Sequence, residues 1–216
     1  AGAAWAEPAA WPLRRGALYI GGRPGPEVAA ALAAAGGRAC DLLADEPFAA
    51  ANAWPTAEGA VLRAQLLGRR VVAGRRAVVL GYGRCGRALA RLLQGFGARV
   101  TVVARRAEHR QEAAAAGLAA AAFPELAEVL SRADLVFNTV PAPVLGEAEL
   151  RALDREALVI DIASRPGGVD WDAARRLGIR AHLEPGLPAR FFPETAGEIL
   201  AEAVARIAGQ PARQQT

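Results

Sequence analysis

The sequence predicts an α/β protein built on a doubly wound parallel sheet, with a smaller, partial α/β domain ahead of it. Three observations carry that prediction. Short β-branched apolar runs alternate with helical stretches from Ala77 to Leu183, the pattern of parallel strands joined by crossover helices. Gly81-x-Gly83-x-x-Gly86 stands at the first strand-to-helix junction of that series. A shorter alternation over residues 16–43 lies upstream of it.

Ala1 to Arg15 carries Trp5 and Trp11 in no usable period, and is expected to be irregular. Ala17 to Ile20 reads as a strand ending in Gly21-Gly22. A helix with Val28, Leu32 and Ala35 on one side follows, closed by Gly36 and Gly37. Arg38 to Leu43 reads as another strand, so 16–43 is a βαβ fragment. Asp45 to Trp54 is expected to be a loop, and Pro55-Thr56-Ala57-Glu58-Gly59 to open a helix running to about Gly68. Thr56 is then either an N-cap or a ligand contact, and Glu58 either a favourable first-turn charge or a ligand contact. Asn52 joins them as a polar group facing a ligand cleft between domains.

Ala77 to Leu80 is a buried strand that turns at the three glycines into a helix with Cys85, Leu89, Leu92, Leu93 and Phe96 as its apolar stripe. Gly81 allows the tight bend, Gly83 lets backbone come close to a pyrophosphate, and Gly86 lets the helix lie on the strand. Tyr82, Arg84 and Cys85 complete the candidate phosphate turn, and the helix N-terminus offers N–H groups to an anion. Arg99 to Ala104 restores a strand. An acidic residue about 20 positions past the first glycine would select NAD; here Ala104, Arg105 and Arg106 occupy that strand end. Two guanidinium groups suit a 2′-phosphate, so NADP is favoured over NAD.

Further on, a helix is expected at about Glu108 to Ala116, a strand at Leu118 to Ala121 and a helix at Pro124 to Leu130. Leu135 to Pro141 is the next buried strand, and Leu158 to Asp161 another, running into Ala163-Ser164-Arg165-Pro166-Gly167-Gly168. Ligands of open parallel sheets bind outside the carboxyl ends of strands, so Asn138, Thr139, Val140, Pro141 and Arg165 are expected on the nicotinamide side. Arg165 is either a bidentate clamp for a substrate carboxylate or a structural ion pair. Asp170 caps a helix to Leu177 that Gly178 ends, and Ile179 to Leu183 is a last strand. Pro185 to Pro188 is a rigid turn. Ala196, Ile199, Leu200, Ala203 and Ile207 form one face of a terminal helix, and the tail from Gly209 is expected to fray. The expected division is 1–52 as the domain remnant, 53–74 as a linking helix, 75–190 as the dinucleotide-binding domain and 191–216 as the C-terminal helix and tail.

Composition narrows the function. The 216 residues (22.4 kDa) are 53% hydrophobic, but alanine inflates that figure and the mean hydropathy is +0.15. No unbroken apolar stretch of ~20 residues suggests a membrane span, and no secretory signal is present. The net charge of +4 and pI near 10.0 come from basic residues spread along the chain rather than a block interleaved with aromatics, which argues against nucleic acid and for anionic ligands. Cys40 and Cys85 read as free thiols in a reducing compartment. No metal-ligand spacing and no nucleophile–His–acid set is found. The chain has no methionine, and an upstream portion is expected to have been removed.

Taken together, NAWPTAEGA (52–60), VVLGYGRCG (78–86), NTVP (138–141), DIASRPGGVD (161–170) and PGLPARFFPETAGEIL (185–200) resemble the A-subunit family of dipicolinate synthase. The resemblance covers about residues 16–208. It implies a fold similar to D-2-hydroxyacid dehydrogenases: an N-terminal α/β domain, most of which this chain lacks, a Rossmann-type domain, and a last helix returning toward the first domain. It also implies oxidation of dihydrodipicolinate by NADP during sporulation in the mother-cell cytoplasm, with the flavoprotein-like B-subunit of dipicolinate synthase as partner, and a homodimer is among the expected assemblies. The sequence departs from the family pattern at Ala53 and Trp54, where Trp54 is expected to narrow the cleft.

On that reading Arg165 holds one carboxylate of a small dicarboxylate substrate, Asn138 makes a ring-facing hydrogen bond, and Asn52 and Thr56 assist. No general base stands out, and Glu58 is the candidate. His109, on a surface helix, and His182, in a strand, read as structural or solvated. Two other classes compete: a non-catalytic NADP-binding scaffold for the B-subunit, and a D-2-hydroxyacid dehydrogenase, which needs a His–carboxylate pair and an Arg around a carbonyl.

Overall fold

Six parallel strands form the main sheet, and their order follows from where the apolar runs fall. In a computed structural model, which describes residues 13–209, β3 (Arg76–Leu80), β4 (Arg99–Val103), β5 (Ala119–Ala121), β6 (Leu135–Asn138), β7 (Leu158–Asp161) and β8 (Arg180–Leu183) lie in the order β5-β4-β3-β6-β7-β8. Every pairing is parallel. Strand order therefore reverses between β3 and β6, the crevice where ligands of doubly wound sheets bind. The first stretch with Trp5 and Trp11, expected to be irregular, and the tail beyond Gly209, expected to fray, lie outside the described residues.

Burial on both faces explains the near-continuous apolar strands. Val79, Phe137 and Ile160 point to one face, against Leu89 and Leu93 of α3 (Arg84–Gly95) and Ala57, Ala60 and Ala64 of α2 (Glu46–Gly68). Leu80, Val136 and Val159 point to the other, against Leu130, Leu150 and Ala173, carried by α5 (Leu126–Leu130), α6 (Glu147–Arg151) and α7 (Trp171–Leu177). The α3 stripe differs from expectation at its end: Phe96 is exposed and Ala90 is buried in its place. Asp170 Oδ1 accepts from Ala173 N–H at 2.9 Å and Gly178 adopts φ 69°, so both ends of α7 form as their residues predict.

The chain divides into two compact units: residues up to Asn52 together with those from Glu194 on, and Ala53–Pro193 between them. In the first unit β1 (Leu18–Gly21) and β2 (Arg38–Asp41) pair in parallel through α1 (Pro26–Ala34). Leu42 packs with Ala203 and Ile207 of α9 (Pro193–Ala208). Asp45 forms a two-point bond with Arg206, at 3.0 and 2.5 Å. Leu200, expected on the buried face of α9, is exposed.

Two expectations about helices are corrected. Residues 45–54 are not a loop: α2 starts at Glu46, with Asp45 Oδ1 accepting from Phe48 N–H at 3.0 Å, and Pro55 lies inside the helix. The start signal was Asp45-Glu46-Pro47, a capping carboxylate followed by a first-turn proline. Pro55 marks no boundary, so Thr56 is no N-cap and Glu58 no first-turn charge. The second is an addition: the turn expected over Pro185 to Pro188 continues into a short helix, α8 (Leu187–Phe191), and α6 lies in a stretch for which the sequence carries no expectation.

Candidate functional site

At the carboxyl end of β3 the three glycines do three different things. Gly81 has φ +90°, and a Cβ there would lie 2.6 Å from Thr139 Oγ1. A Cβ on Gly86 would lie 2.3 Å from Gly81 O, so only glycine lets α3 cross this close to the strand. Around Gly83 a Cβ would meet nothing within 4 Å: this glycine faces open space, where an approaching pyrophosphate needs room. The first intrahelical bond runs from Arg87 N–H to Gly83 O at 2.9 Å, which sets the Cys85 and Gly86 N–H groups at the helix mouth. These residues fit a dinucleotide. Burial pushes the Cys85 thiol up, against the lowering charge of Arg84, so it stands there as a neutral thiol.

Tyr82 is buried, its ring edge-on to His109 at 6.4 Å with the Arg87 guanidinium 5.2 Å from its centroid. Arg87 also grips Glu112 at 2.6 Å through both oxygens, tying α3 to α4 (Ala107–Ala115). At the end of β4, Ala104 is buried while Arg105 and Arg106 are exposed. Arg110 donates to the carbonyls of Ala104 and Arg105 at 2.9 and 2.8 Å, fixing that turn from below.

The carboxyl ends of β6 and β7 share one buried network. Asn138 is fully buried: its Nδ2 donates to Val140 O (3.1 Å) and Asp161 Oδ1 (2.9 Å), and its Oδ1 accepts from Val140 N–H (3.0 Å). Both amide hydrogens are engaged, so the expected ring-facing hydrogen bond from Asn138 is corrected: the side chain shapes the loop from behind. Asp161, also fully buried, accepts from Ala163 N–H and Gly168 N–H at 2.9 Å each. Gly168 admits no side chain, since its Cβ would lie 2.3 Å from Asn138 Nδ2. Thr139 donates its hydroxyl to Leu80 O at 2.8 Å, bridging β6 to β3. Pro141 follows in the exposed turn.

Arg165 lies exposed in the loop that this network braces, and among the described residues no carboxylate pairs with it. On α2, Thr56 is half-buried and Glu58 exposed, while Asn52 belongs to the other compact unit. Trp54 does not stand by the phosphate turn: it is exposed beside Arg91, Leu92, Gly95 and Phe96, at the far end of α3 from Gly83.

Sequence reasoning missed Asp161 and Glu184. Glu184 follows β8 and is buried, with Oε1 accepting from Arg63 Nε and an Arg63 terminal nitrogen at 2.8 and 2.6 Å, and Oε2 accepting from Arg190 at 2.6 Å. Burial pushes its carboxyl up, but the hydrogen bonds and charges of Arg63 and Arg190 outweigh that and hold it below its ordinary range. His182, two residues earlier, is pushed down by burial and by Arg63 and Arg180, against the opposing charge of Glu184. Glu184 at a strand's end before Pro-Gly was the available signal; its two arginines are remote from any local pattern.

Comparisons with known proteins agree with this geometry. Residues 47–174 match the family described as D-isomer specific 2-hydroxyacid dehydrogenase, NAD binding domain. The chain is similar to the dipicolinate synthase A-subunit of Bacillus subtilis (strain 168), at 36% identity over 77% of this chain and 56% of that protein. It is similar to the crystal structure of the dipicolinate synthase A-subunit from Bacillus halodurans, at a TM-score of 0.86 and 32% identity over 90% of this chain and 67% of that one. Glyoxylate reductase of Thermococcus gammatolerans is 33% identical over 47% of this chain and 30% of that protein. The chain thus spans little more than half the length of the Bacillus subtilis relative it matches. The resemblance read from the five sequence segments is borne out, and the chain belongs to the D-isomer specific 2-hydroxyacid dehydrogenase NAD binding domain family.

Proposed function

We propose that the chain oxidises dihydrodipicolinate to dipicolinate with NADP, as the nucleotide-binding member of a two-subunit enzyme whose other member is the flavoprotein-like B-subunit. The observation that carries this reading is Arg165: an exposed guanidinium without a carboxylate partner among the described residues, in the loop at the carboxyl end of β7. A cation so placed suits a substrate carboxylate.

When bound, the nicotinamide supplies a two-electron hydride acceptor. The chain's own residues do the rest. Gly83 and the mouth of α3 receive the pyrophosphate, and Arg105 and Arg106 favour a 2′-phosphate over two hydroxyls. Asn138 and Asp161 hold the β6 and β7 loops so that Arg165 meets the substrate in one orientation. Loss of hydride and of a ring proton makes the dihydropyridine ring aromatic, so orientation is the main demand on the protein. Glu58 is the proposed acceptor of that proton.

The test is NADPH formation from dihydrodipicolinate by the assembled complex, set against the B-subunit on its own. Reduction only when both proteins are present supports catalysis by this chain. Equal rates without it would make the chain a nucleotide-binding scaffold.

A further inference from the structure

The Arg63–Glu184–Arg190 cluster has one guanidinium more than a structural tie requires. Glu184 follows the last strand and its N–H donates to Asp161 O at 2.8 Å, so it is attached to the residue from which the Arg165 loop departs. Its carboxylate is 4% exposed and takes three hydrogen bonds. Arg63 by itself would satisfy Oε1 and join α2 to β8. Arg190 uses one nitrogen on Oε2, its side chain is 46% exposed, and among the described residues its other N–H groups meet no protein acceptor. Phe191 lies under it, with the ring centroid 5.3 Å from the guanidinium carbon.

The backbone holds this cluster firmly. A Cβ on Gly59 would lie 2.8 Å from Leu187 Cβ, so glycine brings α8 into direct contact with α2. Arg63 is one turn along from Gly59, and Arg190 three residues after Leu187. Two cations against one anion leave a surplus positive charge at the carboxyl edge of the sheet, one strand from β7; adjacent strands are about 4.8 Å apart. An exposed guanidinium with N–H groups to spare can pair with a carboxylate.

We infer that Arg190, positioned by Glu184 and Arg63, binds the second carboxylate of a dicarboxylate ligand whose first carboxylate is held by Arg165. The inference rests on the proposed substrate class and assigns it a second recognition point. It makes Arg190 a specificity residue and Glu184 a positioning residue.

Calorimetric titration of the full chain with its partner protein, in the presence of NADP, tests it with pyridine-2,6-dicarboxylate and pyridine-2-carboxylate. The parent should bind the dicarboxylate at least tenfold more tightly. Arg190→Gln should remove that advantage while leaving the monocarboxylate affinity within error, with a lower melting temperature because Glu184 Oε2 loses its charged partner, and Arg190→Lys should restore part of the preference. A parent that binds both compounds alike, or an Arg190→Gln variant that keeps the preference, overturns the assignment. A purely structural Arg190 would leave the ratio of the two affinities unchanged in Arg190→Gln, the fall in melting temperature being its only effect. Failure of the proposed reaction is separate: the dicarboxylate preference would persist while no NADPH formed from dihydrodipicolinate.

Discussion

Asp161 Oδ1 accepts a 2.9 Å hydrogen bond from Asn138 Nδ2 across the ends of two neighbouring strands, with neither side chain exposed to solvent. Because Asp161 also receives Ala163 and Gly168 N–H groups, Asp161→Ala strands three buried donors. Each unsatisfied group costs about 1–3 kcal/mol, so a loss of at least ~3 kcal/mol is expected in chemical denaturation. Asp161→Asn, which keeps an acceptor but presents an amine to one N–H, should lose less. Equal stability of parent and Ala variant would show that water replaces the carboxylate.

Gly83→Val should abolish nucleotide binding and leave the fold intact, since a side chain there meets only open space. Gly86→Ala should lose both, disrupting the turn by driving a methyl to 2.3 Å from Gly81 O. Circular dichroism alongside NADPH fluorescence titration separates the two outcomes. Retained affinity in Gly83→Val would show that the pyrophosphate does not approach this position.

For cofactor choice, tighter binding of NADPH than NADH is expected, reversed in Ala104→Asp with Arg105→Ser. The new carboxylate accepts from ribose hydroxyls and repels a 2′-phosphate, while the lost guanidinium removes its partner. Each change contributes on the order of 1–3 kcal/mol, so the combined switch should exceed tenfold. A parent with equal affinity for both cofactors would make Arg105 and Arg106 surface charges.

Arg165→Ala should leave nucleotide affinity and melting temperature unchanged, because the side chain is exposed and pairs with no described residue. Losing a charge-assisted bond to substrate costs ~1.5–3 kcal/mol, about ten- to a hundredfold in kcat/KM. Unaltered steady-state kinetics of the assembled complex would remove Arg165 from the site.

Stability should also respond to acid through Glu184. Its folded-state pKa lies below the ordinary value of 4.5, because the bonds from Arg63 and Arg190 outweigh burial. The stabilisation is therefore fully present above about pH 4.5 and is lost as pH falls through the lower folded value. In Glu184→Gln the melting temperature should fall less steeply over that acid range than in the parent. Parallel curves would show that other carboxylates carry the dependence.

Legibility in the sequence followed the range of the interaction. The strands β3, β6 and β7 are runs of four or five residues buried on both faces, and such runs are visible without tertiary context. Asp170 and Gly178 act within their own helix and were equally plain. Pro55 misled because a helix already capped by Asp45 absorbs an interior proline, and a cap that far upstream cannot be judged from the proline alone. Asn138 looked like a ligand group because it ends a strand; only its partner Asp161, 23 residues on, turns it inward. Glu184 and Arg63 are 121 residues apart, and no local pattern announces their meeting.

The closure of the first unit by α9 has a consequence for the order in which the chain matures on the ribosome. Leu42 and its neighbours are covered by Ala203 and Ile207, and Asp45 waits for Arg206, 161 residues later. At translation speeds of ~5–20 residues per second, that interval lasts roughly 8–32 s. The six-stranded sheet, encoded wholly between the two halves of its neighbour, is complete before the neighbour can close. The β1–β2 pair thus keeps an apolar flank uncovered until the residues of α9 have been made, and synthesis of α9 rather than strand pairing sets when that flank is sealed.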